Sequence, residues 1–286
     1  MSFGTAADLK ALGYTAHRAD YRTVWLPPPK HIEAGRWIER PQLRDDIAAA
    51  LLPAGRTPAQ NVLLTGPVGS GKTTLAQQIA LALGRELWVM SGAGDLNAEN
   101  IVAAPIQVRH DAASGVSQTD FMGSPLLAAA LRGGLIFFDE LSRTPDGVLN
   151  VLNDLLADGR TLTSHEHRMS FKASPAFGFI AAQNPDPDTL PEDLADRLRP
   201  RFEIQRPDRA LLLQTLRESY PDAHQLWFTV FDTIDTVPED GDWHARTRQA
   251  LCTLGYGYRL WLQAGQPQPL DAEQVLGYLK RASVVS

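Results

Sequence analysis

The stretch GPVGSGKTTLAQQIA, residues 66–80, decides the fold. It matches the phosphate-loop pattern of a glycine, four residues and then Gly-Lys-Thr, and it follows an apolar segment, NVLLT, that predicts a strand. Leu75, Ile79 and Leu83 then recur every four residues, which predicts a helix with one face packed on a sheet and Gly84 at its end. A strand, a glycine-rich loop and a helix in this order predict a site for the phosphates of a nucleotide.

The residue types of this loop fit that task. The glycines let backbone N–H groups turn toward phosphate oxygens, and the helix that follows presents its positive dipole end to them. Lys72 is expected to reach the outer phosphates, and Thr73 is expected to bind magnesium. The predicted nucleotide-binding residues are Gly66, Pro67, Val68, Gly69, Ser70, Gly71, Lys72, Thr73 and Thr74.

Length and composition limit the remaining possibilities. A chain of 286 residues with 44% hydrophobic content fits one large domain or two modest ones, and we expect two. The formal net charge of -6 lacks the basic excess of a nucleic-acid-binding protein, so nucleic acid is not the expected partner. Cys252 is the single cysteine, which excludes an intramolecular disulfide. No apolar run reaches membrane-helix length, and the N-terminus lacks a secretion signal, so we expect a cytoplasmic protein.

A second motif, LIFFDE at residues 135–140, predicts a buried strand that ends in two carboxylates. Asp139 is expected to hold the metal ion at the carboxyl end of the sheet. Glu140 can orient and deprotonate a water molecule, whereas a small-molecule kinase has to exclude that water. The pair therefore favours hydrolysis over phosphoryl transfer.

A third apolar segment, FGFIAAQN at residues 177–184, predicts another strand, whose end lies between the first two motifs. The amide of Asn184 could hold the attacking water. The dipeptide Asn184-Pro185 is also an ordinary signal for a turn after a strand, and the sequence leaves both interpretations open.

These three segments resemble the Walker A, Walker B and sensor 1 motifs of the AAA+ ATPases. The run GSPLLAAALRGGLIFFDELSRTPDGVLNVLNDLLADGRTLT is similar to the MoxR-like branch of that family, and the resemblance covers roughly residues 36–283. It implies an α/β/α P-loop NTPase sandwich with a parallel five-stranded sheet, followed by a small helical lid, and ATP with Mg²⁺ as cofactors. It also implies a homo-oligomeric ring, with a hexamer as the expected stoichiometry.

Proteins of this family need an arginine from the neighbouring subunit to meet the charge that develops on the γ-phosphate. The candidate segment is LPEDLADRLRPRFEIQRP, residues 190–207, where the family has Asp-Arg-Phe and this chain has Asp196-Arg197-Leu198. A second pair, Arg201-Phe202, follows. Either Arg197 or Arg201 could be the arginine that acts on the neighbouring subunit, and the spacing to LPE favours Arg197. A structural role for these arginines, in ion pairs with nearby acids, is the alternative.

The sequence predicts three parts. Residues 1–35, with the extended WLPPPK, are expected to form an extended arm, and residues 36–207 the nucleotide-binding domain. Residues 208–286 consist of helical blocks, which predict a helical lid domain. In this lid Arg259 resembles the sensor 2 arginine and is expected to contact the nucleotide, although Gly257-Tyr258 replaces the usual Ser-Pro.

Some local signals add detail. Ser124-Pro125 and Thr144-Pro145 each predict a helix start. RTLTSHEHRMSFKASP, residues 160–175, alternates like a β-hairpin, and its His-Glu-His centre lacks the spacing of a helical zinc site. QVRHDAASGVSQTD, residues 107–120, fits a solvated loop or, by the resemblance, an insertion that faces a central pore.

The function expected from the resemblance is that of a remodelling ATPase. Its ring would act on a protein client, with a partner that bears a von Willebrand A domain. The alternative is an AAA+ nucleic-acid motor or loader. A small-molecule kinase is disfavoured by Glu140 and the arginine-rich segment, and a nucleotide-bound scaffold with negligible turnover also stays open.

Overall fold

The structure is a computed structural model, and it describes residues 2–32, 40–53, 59–94, 96–110, 117–184 and 190–205. These residues belong to one compact unit, which spans residues 1–35 and 40–205. The predicted helical lid, residues 208–286, lies outside the described residues. Within the described ranges, no helix is long and apolar enough to cross a bilayer.

The described unit combines helices and strands. Its helices are α1 (Ala6–Ala11), α2 (Pro41–Ala50), α3 (Lys72–Ala82), α4 (Pro125–Arg132), α5 (Asp146–Leu156) and α6 (Glu192–Arg197), with one 3₁₀ turn at Leu141–Arg143. Its strands are β1 (Ser2–Thr5), β2 (Thr15–Ala19), β3 (Arg22–Leu26), β4 (Asn61–Thr65), β5 (Leu87–Ser91), β6 (Ala103–Arg109), β7 (Ser117–Gly123), β8 (Leu135–Asp139), β9 (Thr161–Ser164), β10 (Met169–Lys172), β11 (Gly178–Gln183) and β12 (Arg201–Glu203).

The main sheet has five strands in the order β12-β4-β11-β8-β5, and all of its pairings are parallel. The predicted parallel five-stranded sheet is therefore confirmed. The three segments with chemical motifs, β4, β11 and β8, are neighbours in this sheet. Because parallel strands end at the same edge, their C-terminal residues meet there.

The two faces of the main sheet bury separate apolar clusters. Alternate residues of the strands pack with Ile47 of α2 and with Leu75 and Ile79 of α3 on one face. The residues between them pack with α4 and α5 on the other face, where Leu152 of α5 is fully buried. This alternation is what a strand buried on both sides requires, and it confirms the α/β/α sandwich.

The prediction of an extended arm for residues 1–35 was wrong for residues 2–26. They form β1, α1, β2 and β3, which join β6 and β7 in a second sheet of order β1-β6-β7-β3-β2. The partners of β1 and β3 lie about a hundred residues away along the chain, so no local pattern announces the pairing. The Thr5–Asp8 capping box of α1 is a signal that was present in the sequence.

The proline-rich part of the predicted arm does run without regular structure. Beside β5, the edge strand of the main sheet, the backbone N–H of Lys30 donates to the carbonyl of Leu87 at 2.7 Å. The indole Nε1 of Trp88 donates to the carbonyl of Pro27 at 3.0 Å. Residues 27–30 therefore run along this edge and are held to it by hydrogen bonds.

Two further loop predictions had different outcomes. Residues 161–172 form the predicted hairpin of β9 and β10, with Leu162, Met169 and Phe171 buried. The prediction of a solvated loop for residues 107–120 was wrong at both ends of that range. The first residues belong to β6 and the last to β7, and these two strands pair with each other. The residues between these strands, 111–116, lie outside the described residues.

One of the two predicted helix caps is present. Ser124 caps α4, because its Oγ accepts a hydrogen bond from the backbone N–H of Leu127 at 3.0 Å. Thr144 does not cap α5, whose N-cap is Pro145. The Thr144 side chain is instead buried, and its hydroxyl has no hydrogen-bond partner among the described residues.

Candidate nucleotide site

The phosphate loop connects the end of β4 to the start of α3, as the sequence predicts. Gly69 and Gly71 have φ angles of 82° and 91°, a left-handed conformation that L-residues with a side chain rarely adopt. Gly71 is also the N-cap of α3. The first backbone N–H groups of this helix therefore open onto the loop, which is the arrangement that binds phosphate oxygens.

The loop also has a cation and a buried hydroxyl. Lys72 Nζ donates to the carbonyl oxygens of Gly66 at 2.6 Å and Pro67 at 3.1 Å, so the ammonium group lies against the backbone of its own loop. Ser70 is 2% exposed, and its Oγ has no hydrogen-bond partner among the described residues. A buried polar atom of this kind requires a partner to offset its desolvation.

The Walker A threonine and the Walker B aspartate come together across the sheet edge. Thr73 Oγ1 lies 3.5 Å from Asp139 Oδ2. Adjacent ligands of an octahedral Mg²⁺ ion lie about 3 Å apart, given metal–oxygen bonds of about 2.1 Å. The second carboxylate oxygen, Oδ1, accepts the backbone N–H of Glu140 at 2.9 Å, which fixes the orientation of Asp139.

Glu140 is the first residue after β8 and has φ 53° and ψ 43°, in the left-handed region. Its carboxylate oxygen Oε2 accepts a hydrogen bond from Arg143 Nη1 at 3.0 Å. The turn that carries both residues packs on the end of β5. There Gly92 donates its N–H to the carbonyl of Asp139 at 2.7 Å.

Asn184 directly follows β11, between the strands that carry the two Walker motifs. Ala182 packs in the cluster on the α3 side of the sheet. Continued alternation along the strand assigns Asn184 to that same face. Asp139 faces this side too, as its contact with Thr73 of α3 shows. The Asn184 side chain is exposed, so it is accessible at the edge where the loop and the carboxylates meet.

The two candidate arginines of the 190–207 segment have different surroundings. Arg197, in the last turn of α6, is half-buried, and its Nη1 donates to the side-chain and backbone oxygens of Asn153 on α5. Its carbonyl accepts from Asn61 Nδ2 at 3.2 Å. Arg201 begins the edge strand β12, is exposed, and donates to the carbonyl of Ala195 at 2.8 Å.

The remaining predicted site residue, Arg259, lies outside the described residues. The geometry missed by sequence reasoning is the contact between Arg143 and Glu140. The signal was present, because Arg143 stands three residues after Glu140 and a tight turn brings such residues together.

The residues present fit a nucleoside triphosphate with magnesium. The loop has left-handed glycines, a helix N-terminus, a lysine and a buried hydroxyl, which are donors suited to phosphate oxygens. The hydroxyl and carboxylate oxygens of Thr73 and Asp139 are the hard ligands that Mg²⁺ prefers.

Residues 61–202 match the AAA domain of the dynein-related subfamily. Solved structures with a similar fold include two of RuvB. A mutant of RuvB from Thermotoga maritima, with serine in place of one alanine, has a TM-score of 0.55 and 16% sequence identity, over 85% of this chain and 70% of that chain. The Holliday junction branch migration motor RuvB of the same organism has a TM-score of 0.52 and 15% identity, over 85% and 69%. Identities this low support a similarity of fold alone.

Similar proteins occur in staphylococci. An uncharacterized protein of Staphylococcus haemolyticus is 31% identical over 150 residues, which are 52% of this chain and 56% of that protein. One from Staphylococcus saprophyticus is 32% identical over 126 residues, 44% of this chain and 47% of that protein. The chain thus spans about half the length of these relatives.

The described α/β unit has the P-loop AAA+ fold, and its match to the dynein-related AAA domain includes the phosphate loop and both strand-end carboxylates.

Proposed function

We propose that this chain is an ATP-hydrolysing remodelling ATPase of the MoxR-like type, which works as a homo-oligomeric ring on a protein client. The observation that carries the proposal is the approach of Thr73 and Asp139 to 3.5 Å, with Glu140 as the next residue. A metal-binding pair beside a second carboxylate suits attack by water on a phosphate, because one group holds the ion and the other accepts a proton.

The residues have distinct roles in this reaction. The loop N–H groups and Lys72 bind the phosphates, and Thr73 and Asp139 hold magnesium. When bound with ATP, magnesium neutralises charge on the phosphate oxygens. Asn184 orients a water molecule, and Glu140 accepts its proton. Each contribution is one of position or charge, which are the main terms in phosphoryl transfer.

We further propose Arg201 as the arginine that acts on the neighbouring subunit, in place of Arg197. The guanidinium of Arg197 binds Asn153 within its own chain and is half-buried, so reaching another subunit would cost these hydrogen bonds. Arg201 is exposed at the edge of the main sheet. Loss of such an arginine should lower kcat about a thousandfold or more.

Mixing experiments test this assignment. Arg201→Ala protein keeps its own phosphate loop, and Lys72→Ala protein keeps its Arg201. Each should be inactive alone, while a mixture should regain ATPase activity, because one subunit supplies the site and its neighbour the arginine. Arg197→Ala serves as the matched comparison. Full activity of Arg201→Ala protein alone would exclude Arg201, as would a mixture of the two inactive variants that stays inactive.

The client is tested by capture. Glu140→Gln protein in ATP and magnesium should bind nucleotide, hydrolyse it far more slowly than wild type, and so retain its partner, including any protein with a von Willebrand A domain. Lys72→Ala protein is the control, since it should not bind nucleotide. Recovery of a distinct protein in stoichiometric amount by the first variant alone supports the remodelling function. Recovery of nucleic acid would favour the motor or loader, and a bare monomer would favour the kinase.

A further inference from the structure

Glu140 is held from several sides in this structure. Its N–H donates to Asp139 Oδ1 at 2.9 Å. Its carbonyl accepts the backbone N–H of Arg143 at 2.9 Å, and its carboxylate Oε2 accepts Arg143 Nη1 at 3.0 Å. Two of these three hydrogen bonds come from Arg143.

The backbone of Glu140 requires such support. A residue with a side chain is strained at φ 53° and ψ 43°, and this conformation persists only where neighbouring groups hold it. The 3₁₀ turn Leu141–Arg143 supplies the support by returning the chain toward Glu140. The position of the carboxylate therefore depends on this turn.

We propose that Arg143 is a positioning residue for Glu140, and that its guanidinium holds the carboxylate in the orientation that receives the proton of the attacking water. The proposal rests on the proposed function, in which Glu140 is the base. Arg143 binds Oε2, so in this proposal the other carboxylate oxygen, Oε1, accepts the proton of the water. The side-chain hydrogen bond of Arg143 within the described ranges goes to Glu140 and to no residue of the phosphate loop.

The size of the effect follows from exposure. The side chain of Arg143 is 67% exposed and that of Glu140 is 41% exposed. Ion pairs this open to water are weak, so Arg143→Ala should lower kcat by about two- to fivefold. KM for ATP should stay unchanged, because the variant leaves the phosphate loop intact.

The test is to measure kcat and KM for ATP by steady-state ATPase kinetics. The proteins compared are wild type, Arg143→Ala, Arg143→Lys, Glu140→Gln, the double variant Arg143→Ala with Glu140→Gln, and Arg132→Ala. Arg132→Ala is the matched control, since it removes another partly exposed pair, Arg132–Glu86 at 2.8 Å, without touching Glu140. Arg143→Lys should recover part of the kcat, because an ammonium can still bind the carboxylate. In the Glu140→Gln background, Arg143→Ala should have no further effect.

Two results would overturn the proposal. One is a kcat for Arg143→Ala equal to or above that of wild type. The other is the same fold-loss from Arg143→Ala whether residue 140 is Glu or Gln, since the arginine would then act without the carboxylate. If Glu140→Gln itself hydrolyses ATP at the wild-type rate, the proposed function fails as well, which separates the two failures.

Discussion

Replacing Gly92 by alanine should disable hydrolysis from outside the phosphate loop. A Cβ at this position would lie 2.4 Å from the carbonyl oxygen of Glu140 and 2.5 Å from the hydroxyl of Thr144. Ordinary carbon–oxygen contacts are about 3.3 Å or longer, so the turn after β8 has to retreat by nearly 1 Å. One of the two groups is backbone and the other is a buried side chain, so neither can rotate away.

The expected effects differ in size. Overpacking of this kind should lower the free energy of unfolding by about 1–3 kcal/mol. A displacement of about 1 Å at a catalytic group can cost about a hundredfold in rate, so kcat should fall by that order. The affinity for ATP should change much less, because the phosphate loop follows a different strand.

The assays are urea unfolding, ATPase kinetics and titration with a fluorescent ATP analogue. Gly94→Ala is the matched control, because a Cβ on that exposed glycine would have no atom of the described residues within 4 Å, its chain neighbours aside. If Gly92→Ala matches Gly94→Ala in both stability and kcat, the close packing of the Glu140 turn on β5 is refuted.

Two further predictions concern stability. Asn153→Ala removes the side-chain oxygen that accepts a hydrogen bond from half-buried Arg197. The variant should lower the free energy of unfolding, measured by urea titration, by about 1–3 kcal/mol. A change under about 0.5 kcal/mol would contradict this prediction. The pKa of Asp8 lies below its ordinary value of 3.8, first because the backbone N–H of Thr5 donates to its carboxylate and next because the Thr5 hydroxyl does. That stabilisation is present above the ordinary pKa and is lost as pH falls through the lowered one. Asp8→Asn should therefore weaken the pH dependence of unfolding below about pH 4, and an unchanged dependence would argue against the capping box.

The sequence predicted the main sheet and most of the candidate site because their signals are local. The phosphate loop, its strand and its helix are contiguous, and the spacing of Leu75 and Ile79 identifies the buried face. Asp139 could be placed at a strand end from four apolar residues before it. Parallel strands then bring these ends to one edge, which is a rule of the fold and needs no further information.

The tertiary structure decided the features that depend on distant partners. The pairings of β1 with β6 and of β3 with β7 link residues far apart in the chain. The strand β2 is short and polar, and its alternation is too weak to predict a strand there. The surroundings of Arg197 and Arg201 also came only from packing, because the spacing favoured Arg197 while Asn153 binds it within its own chain. The sequence determined which residues form the candidate nucleotide site, since chemistry resides in side-chain type and local spacing. Which arginine is exposed, and what holds Glu140, depended on contacts that form only when the chain is folded.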